Sequence, residues 1–285
     1  MKGWLIINSF MNSDKFIHLY EMLCRAFEKH GVSLEKKTAK DISLEVGYEL
    51  NNKPDFAIFW DKDIYLAERL ESAGIRLFNN KEAVELCDNK ILMYQKLQKS
   101  FVRIPRTFIA PKTFEGLGYN QRDFIVDAIK ELGFPLIVKE AYGSFGEQVY
   151  LAKDLASLNK IIDQIGYKDF LMQEYIEESK GKDLRMNVVG EQVVVTMLRE
   201  NDNDFRSNIS NGGRGSLFEP EKAYIDLAIK ASKALGLDFA GVDILFGKDG
   251  PIVCEVNSNP QFASTLKSTG VNLAEYIADY IINCL

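Results

Sequence analysis

Apolar and polar positions along this chain switch between two periods. Residues 4–7 (Trp4-Leu5-Ile6-Ile7) are a short apolar run stopped by Asn8 and Ser9, which predicts a buried first strand. Phe16, Leu19, Leu23 and Phe27 then recur at helical spacing, so residues 16–30 form an amphipathic helix that Gly31 ends. Residues 32–36 and 56–60 read as strands, and residues 64–73 as a helix before Gly74. This alternation implies an open, mostly parallel sheet. Asn79-Asn80 caps a long helical stretch through Lys99, interrupted around Asp88.

The pattern changes near Ile104-Pro105-Arg106-Thr107. A helix over residues 124–132 ends at Gly133, and the β run that follows has Lys139 near its exit. Gly143-Ser144-Phe145-Gly146 leads to a β run over 148–152, and Asp154 is placed to cap a helix over 155–165. Strands follow over 170–175, 184–189 and 192–199, then a glycine-rich loop over 211–215, read either as a flexible hairpin tip or as a backbone cradle for a substrate carboxylate, a helix over 223–235 and a closing helix over 273–284. The expected fold class is α/β, with an N-terminal domain over residues 1–88 and the remainder over 89–285. Within the remainder, a small central lobe covers about 104–170 and a C-terminal lobe about 171–285.

Residues 239–260, FAGVDILFGKDGPIVCEVNSNP, carry the most information. Two apolar runs broken by Gly247-Lys248-Asp249-Gly250 predict a β-hairpin. A three-residue loop, 248–250, puts Gly250 in the left-handed region. That register pairs Val242 with Val256, Ile244 with Cys254 and Phe246 with Ile252 on an apolar face. The other face then carries Asp243 opposite Glu255, with Asn257 two residues on. Opposed carboxylates repel unless something positive lies between them. Three hard oxygen donors at strand spacing suit Mg²⁺ or Mn²⁺; the alternative is the solvated face of an ordinary hairpin.

Composition narrows the chemistry. The 285 residues are 46% hydrophobic and 27% charged, ordinary for a soluble globular protein with a sizeable core. No apolar run approaches the roughly 20 residues of a membrane span, and a net charge of −6 argues against a general nucleic-acid binder. Four scattered cysteines and two histidines leave no zinc or disulfide framework and fit a reducing cytoplasm. Catalysis must therefore lean on carboxylates, lysines and arginines. Lys139 beside Gly143 and Gly146 is compatible with a phosphate cradle or a plain hairpin loop. Asp183 and Arg185, at i and i+2, point the same way. With Arg199, Arg206 and Asn208 they make sense where phosphate is handled.

Taken in order, Asp88-Asn89-Lys90, PLIVKEAYGSFG, MQEYIEESKGKDLRMNVVG, DFRSN with its following GG, and the hairpin resemble the RimK-type branch of the ATP-grasp ligases. The resemblance implies an ATP-grasp fold behind an N-terminal open parallel-sheet lobe. It implies that Lys90 and Lys139 touch the phosphates of ATP, that the Gly143–Gly146 loop closes over them, and that Glu174 and Tyr175 meet adenine with Asp183 on the ribose. Arg206, Ser207 and Asn208 join the nucleotide site, Arg185 and Arg199 the catalytic charges, and Asp243, Glu255 and Asn257 hold two Mg²⁺ or Mn²⁺ ions. The implied reaction joins an amino-acid amine, glutamate by analogy, to a carboxylate of a peptide, protein or cofactor. No nucleic-acid or membrane partner is expected, and a homo-oligomer is compatible with the sequence. The rival readings are a kinase-like phosphotransferase and a non-catalytic ATP-binding module. Ser258-Asn259-Pro260-Gln261 and Ile209-Ser210-Asn211 depart from the family pattern where the resemblance places the acceptor.

Overall fold

The first apolar run is β1 (Lys2–Ile7) in a computed structural model that describes residues 1–11, 13–42, 45–47 and 49–285. After α1 (Asp14–Glu28), β2 (Ser33–Lys37) pairs with one edge of β1, and β3 (Phe56–Trp60) pairs with the other. Asp63 caps α2 (Ile64–Ser72) by accepting from the Tyr65 and Leu66 amides, and β4 (Leu77–Phe78) completes the parallel order β2-β1-β3-β4. Every residue of β3 is buried, as expected for a parallel strand covered on both faces.

The two asparagines at 79 and 80 divide their work. Asn80 caps α3 (Lys81–Asp88) by accepting from the Ala83 amide at 2.8 Å. Asn79 is fully buried and caps nothing. Its amide donates to the Phe239 and Ser258 carbonyls and accepts from the Asp238 amide at 2.7 Å, tying the parallel sheet to the hairpin. The break at Asp88 is where Asn89 caps α4 (Lys90–Lys99).

The second sheet comprises β5 (Thr107–Ile109), β6 (Leu136–Glu140), β7 (Val149–Ala152) and β8 (Phe170–Glu174), in the antiparallel order β5-β8-β6-β7. The helices α5 (Ile125–Leu132) and α6 (Leu155–Ile165) bury Ala128, Leu158 and Ile162 against one of its faces. A capping box between Asp154 and Ser157 starts α6 where the sequence placed it.

The third sheet contains β9 (Lys182–Val189), β10 (Gln192–Glu200), β11 (Arg214–Leu217), β12 (Phe239–Gly247) and β13 (Gly250–Asn257), ordered β11-β10-β9-β12-β13 and antiparallel throughout. Leu184, Met186, Val242, Ile244 and Val253 pack on the side of α7 (Lys222–Ala234). The alternate residues, Asp183, Arg185, Asn187 and Asp243, therefore share the opposite face. The chain ends in α8 (Ala263–Thr269) and α9 (Leu273–Cys284).

Two expectations are corrected. The glycine-rich segment is no simple loop tip, because Arg214 opens β11 and Gly215 pairs with Arg199. A Cβ on Gly215 would lie 2.7 Å from Met197 Sδ, so glycine is what admits this close edge. In the hairpin, Val242–Val256 and Asp243–Glu255 pair as anticipated, but Ile244 then faces Val253 and Gly247 faces Gly250. A bulge at Cys254 removes one residue from the register and shortens the turn to Lys248-Asp249. Contacts from outside the hairpin hold this arrangement: the Tyr94 hydroxyl donates to the Cys254 carbonyl, and Val253 donates to the Arg103 carbonyl at 2.9 Å.

Candidate active site

The second and third sheets face each other across a cleft of about 800 Å³, including its open mouth. On the upper side, β6 presents Lys139, only 6% exposed. Its ammonium donates to the Tyr94 hydroxyl at 2.9 Å and lies 3.7 Å from Cys254 Sγ. Burial pushes the Tyr94 phenol up to about 12 and also raises the Cys254 thiol, so both are neutral near pH 7. Lys139 forms no ion pair among the described residues, and its charge is left for a ligand. Lys90, at the first turn of α4, donates to the Gly143 carbonyl at 3.0 Å and lies 3.7 Å from a Glu255 oxygen.

The 143–146 loop bends over this side. Gly146 has φ +75°, and a Cβ there would stand 2.8 Å from Asn208 Oδ1. Arg206 donates to the Gly146 carbonyl at 2.6 Å while Asp204 holds its guanidinium at 2.7 Å. From α1, Lys15 lies 4.5 Å from the Phe145 ring centroid. Lys62 bridges Asp88 at 2.6 Å and Ser144 at 3.3 Å.

The lower side is a row of charges crossing strands. Arg199 on β10 stands opposite Asp183 on β9 and donates to both its oxygens, at 2.7 and 2.5 Å. Arg185 stands opposite Asp243 on β12 and also donates to both oxygens of its partner, one at 2.9 Å. Arg199 reaches Asp243 as well, at 3.0 Å. Burial pushes the Asp243 carboxyl up, but Arg185 and Arg199 outweigh it and hold its pKa below the usual range. The positive charge expected near the opposed carboxylates is thus supplied by guanidinium groups on Asp243 and by Lys90 near Glu255.

Lys90, Lys139, Gly146, Glu174, Tyr175, Asp183, Arg199, Arg206, Ser207, Asn208, Asp243 and Glu255 all line the cleft. Gly143, Arg185 and Asn257 lie outside its lining, Gly143 receiving Lys90 and Arg185 holding Asp243 from beneath. Asn257 follows Glu255 at i+2, its side-chain nitrogen 3.4 Å from the Gly241 carbonyl. Among the described residues no group of three His, Cys, Asp or Glu is gathered as a metal cage. The oxygen set of Glu255, Asn257 and Asp243 nevertheless suits a hard ion that takes its remaining ligands from phosphate. Sequence reasoning missed Tyr94 and Cys254, which seat Lys139, and the apolar walls Ile137, Val149, Phe205 and Leu245. The i+2 step from Asp243 to Leu245 was the available signal for one of them.

Two antiparallel sheets closing on one cleft, behind an N-terminal parallel sheet, are the arrangement of the ATP-grasp fold. Residues 87–281 match the RimK-like ATP-grasp domain, and the chain belongs to that family. It is 34% identical over 272 residues to an uncharacterized protein of Mycoplasma pneumoniae, covering 93% of this chain and 94% of that one. It is 37% identical over 230 residues to beta-citrylglutamate synthase B of Homo sapiens, covering 79% of this chain but only 58% of the human protein. A crystal structure of a RimK domain ATP-grasp protein from Sphaerobacter thermophilus superposes with a TM-score of 0.75 at 19% identity, covering 98% of this chain and 99% of that one. Among the described residues, no helix is long and apolar enough to cross a membrane.

Proposed function

We propose that this protein uses ATP to join the amine of an amino acid, glutamate or a close analogue, to a carboxylate carried by a peptide, protein or small-molecule cofactor. The observation that carries the reading is the asymmetry of the cleft. A buried lysine with no ion pair among the described residues and a glycine-containing loop lie on one side, and the carboxylates of Asp243 and Glu255 lie on the other. Apolar walls at Ile137, Val149, Phe205 and Leu245 suit a purine base beside Glu174 and Tyr175, with Lys90, Lys139 and Arg206 near its phosphates. Asp183, assigned to the ribose, is engaged by Arg199 and must share its oxygens to serve there. Glutamate as the amine is supported by the human relative, named for a product that contains glutamate.

In this reading an acceptor carboxylate oxygen attacks the γ-phosphorus, and the bond to the departing ADP oxygen breaks, leaving an acylphosphate. The amine nitrogen attacks the acyl carbon, loses a proton, and phosphate departs with the C–O electron pair. The chain contributes position and charge rather than covalent catalysis. Lys139, Lys90 and Arg206 neutralise phosphate oxygens, Arg185 and Arg199 place charge beneath them, and the 143–146 loop with Ser207 and Asn208 keeps water from the intermediate. Glu255, Asn257 and Asp243 would hold Mg²⁺ or Mn²⁺, two ions in all, which supply further charge neutralisation. A phosphate-release screen of amino acids against acidic peptides and small carboxylic acids tests the proposal. Release that requires both an amine and a carboxylate, with an amide in the products, is expected. ADP formation that never needs an amine would replace the ligase reading with a kinase.

A further inference from the structure

Asp243 occupies the middle of the lower row, with Arg185 opposite it on β9 and Glu255 opposite it on β13. Its two oxygens receive two donors from Arg185 and one from Arg199. A carboxylate offers about four acceptor positions, so Asp243 has little left for a cation. Asp183, Arg199, Asp243 and Arg185 together carry two positive and two negative charges, all with nearly buried side chains. Glu255 differs: its side chain is 29% exposed, and its nearest cation, Lys90, stays 3.7 Å away.

Two further features concern the path of Arg185. A Cβ on Gly241 would lie 3.2 Å from Arg185 Nη1 and 3.3 Å from its Cδ, so the missing side chain clears the way for the guanidinium. Opposite Gly241 in register stands Asn187, two residues from Arg185 on the same face of β9. Asn187 is 1% exposed, yet neither its Oδ1 nor its Nδ2 has a partner. A buried amide left unpaired is costly, and the Asn187 Oδ1 is an acceptor that could take a guanidinium N–H.

We propose that Arg185 is a built-in stand-in for the divalent cation: it neutralises Asp243 while no ion is bound, and yields to the ion by turning toward Asn187. The inference rests on the metal reading given under Proposed function. On this account Arg185 is a positioning residue that competes with the ion. Bare ion therefore binds weakly, and ion arriving with ATP binds well, because phosphate charge adds to the carboxylates and attracts the released guanidinium.

The test is a titration with Mn²⁺ followed by electron paramagnetic resonance of the free ion, with and without a non-hydrolysable ATP analogue. Without nucleotide, Arg185→Met is expected to bind Mn²⁺ roughly tenfold tighter than the wild type, and Arg185→Lys by a smaller factor. Asn187→Ala is expected to weaken Mn²⁺ binding several-fold in the wild type and to do nothing in the Arg185→Met background. A residue that merely supports the site would give the opposite sign at position 185. Equal or weaker Mn²⁺ binding by Arg185→Met, while the wild type binds Mn²⁺ with the nucleotide analogue, overturns the stand-in role alone. Failure of the wild type to bind Mn²⁺ even with nucleotide overturns the metal reading and this inference with it. Should Arg185→Met not fold, the Arg185→Lys titration decides by the same sign.

Discussion

The two sides of the cleft handle charge in opposite ways. On β6, Lys139 is seated by a neutral phenol and a neutral thiol and forms no ion pair among the described residues. On β9, β10 and β12, two arginines and two aspartates satisfy one another. The upper side is ready for an anion, and the lower side must be opened. On the proposed reading a nucleotide phosphate docks on Lys139 directly, whereas an ion on the lower side displaces an existing partner.

The lower side breaks most severely. Asp243→Asn leaves Arg185 and Arg199 without the charge they share, and removing one partner of a buried pair typically costs about 3–5 kcal/mol. Glu255→Gln disturbs only a longer, partly exposed contact and is expected to cost less than about 1 kcal/mol. Thermal unfolding without added metal separates the two, although both variants should lose ligation. The folded pKa of Asp243 lies below its unfolded value. Its contribution is therefore present above the ordinary aspartate range and is lost as pH falls through the folded pKa. Acid titration should show this loss in the wild type and a smaller one in Asp243→Asn. Equal melting temperatures for the two variants would erase the contrast within the lower side.

The upper side should fail in binding rather than folding. Lys139→Met keeps the volume of the buried stem and leaves the Tyr94 hydroxyl bonded to the Cys254 carbonyl. A charge-assisted contact to phosphate is worth about 3 kcal/mol, so ATP affinity by calorimetry should fall on the order of a hundredfold. Unchanged ATP affinity would remove Lys139 from the site.

Local signals made the elements legible, and distant partners explain the misses. The alternation in 239–246 and 252–257 gave the Asp243–Glu255 pairing because period two depends only on neighbours. The bulge at Cys254 was invisible because Tyr94 and Arg103, far away in sequence, hold it. Asn79 looked like a cap for the same reason: its four partners lie on residues 238, 239 and 258. Asp183 and Arg185 were correctly placed on one face, but which charge each would meet depends on β9 lying between β10 and β12. The helix α8 escaped notice because Phe262 offers no side-chain cap. Of the fifteen residues named from motifs, Arg185 and Asn257 fall outside the lining because a strand pattern gives the face but not the depth, and Gly143 lies in the loop that receives Lys90.

Smaller effects lie at the loop joining the two sides. Gly146→Ala forces a left-handed residue at about 1–2 kcal/mol and sets a methyl group against Asn208. ATP with Mg²⁺ is expected to shield the wild-type loop from proteolysis and to leave the variant cleavable, with KM for ATP up about tenfold. Equal shielding of both would show that the loop does not close over nucleotide.

The mildest change touches only the contact made to that loop by the segment between β3 and α2. Lys62 holds Asp88 and reaches Ser144 with its side chain 46% exposed. Pairs exposed to this degree are worth at most about 1 kcal/mol, and Lys90 and Arg206 still hold the loop from the other side. Lys62→Ala should therefore raise KM for ATP less than about fivefold and leave kcat unchanged, because the Lys62 ammonium is bonded to Asp88 and Ser144. A fall in kcat with KM unchanged would instead place the N-terminal region in the chemical step. The contrast would then run between three regions of the molecule rather than the two sides of one cleft.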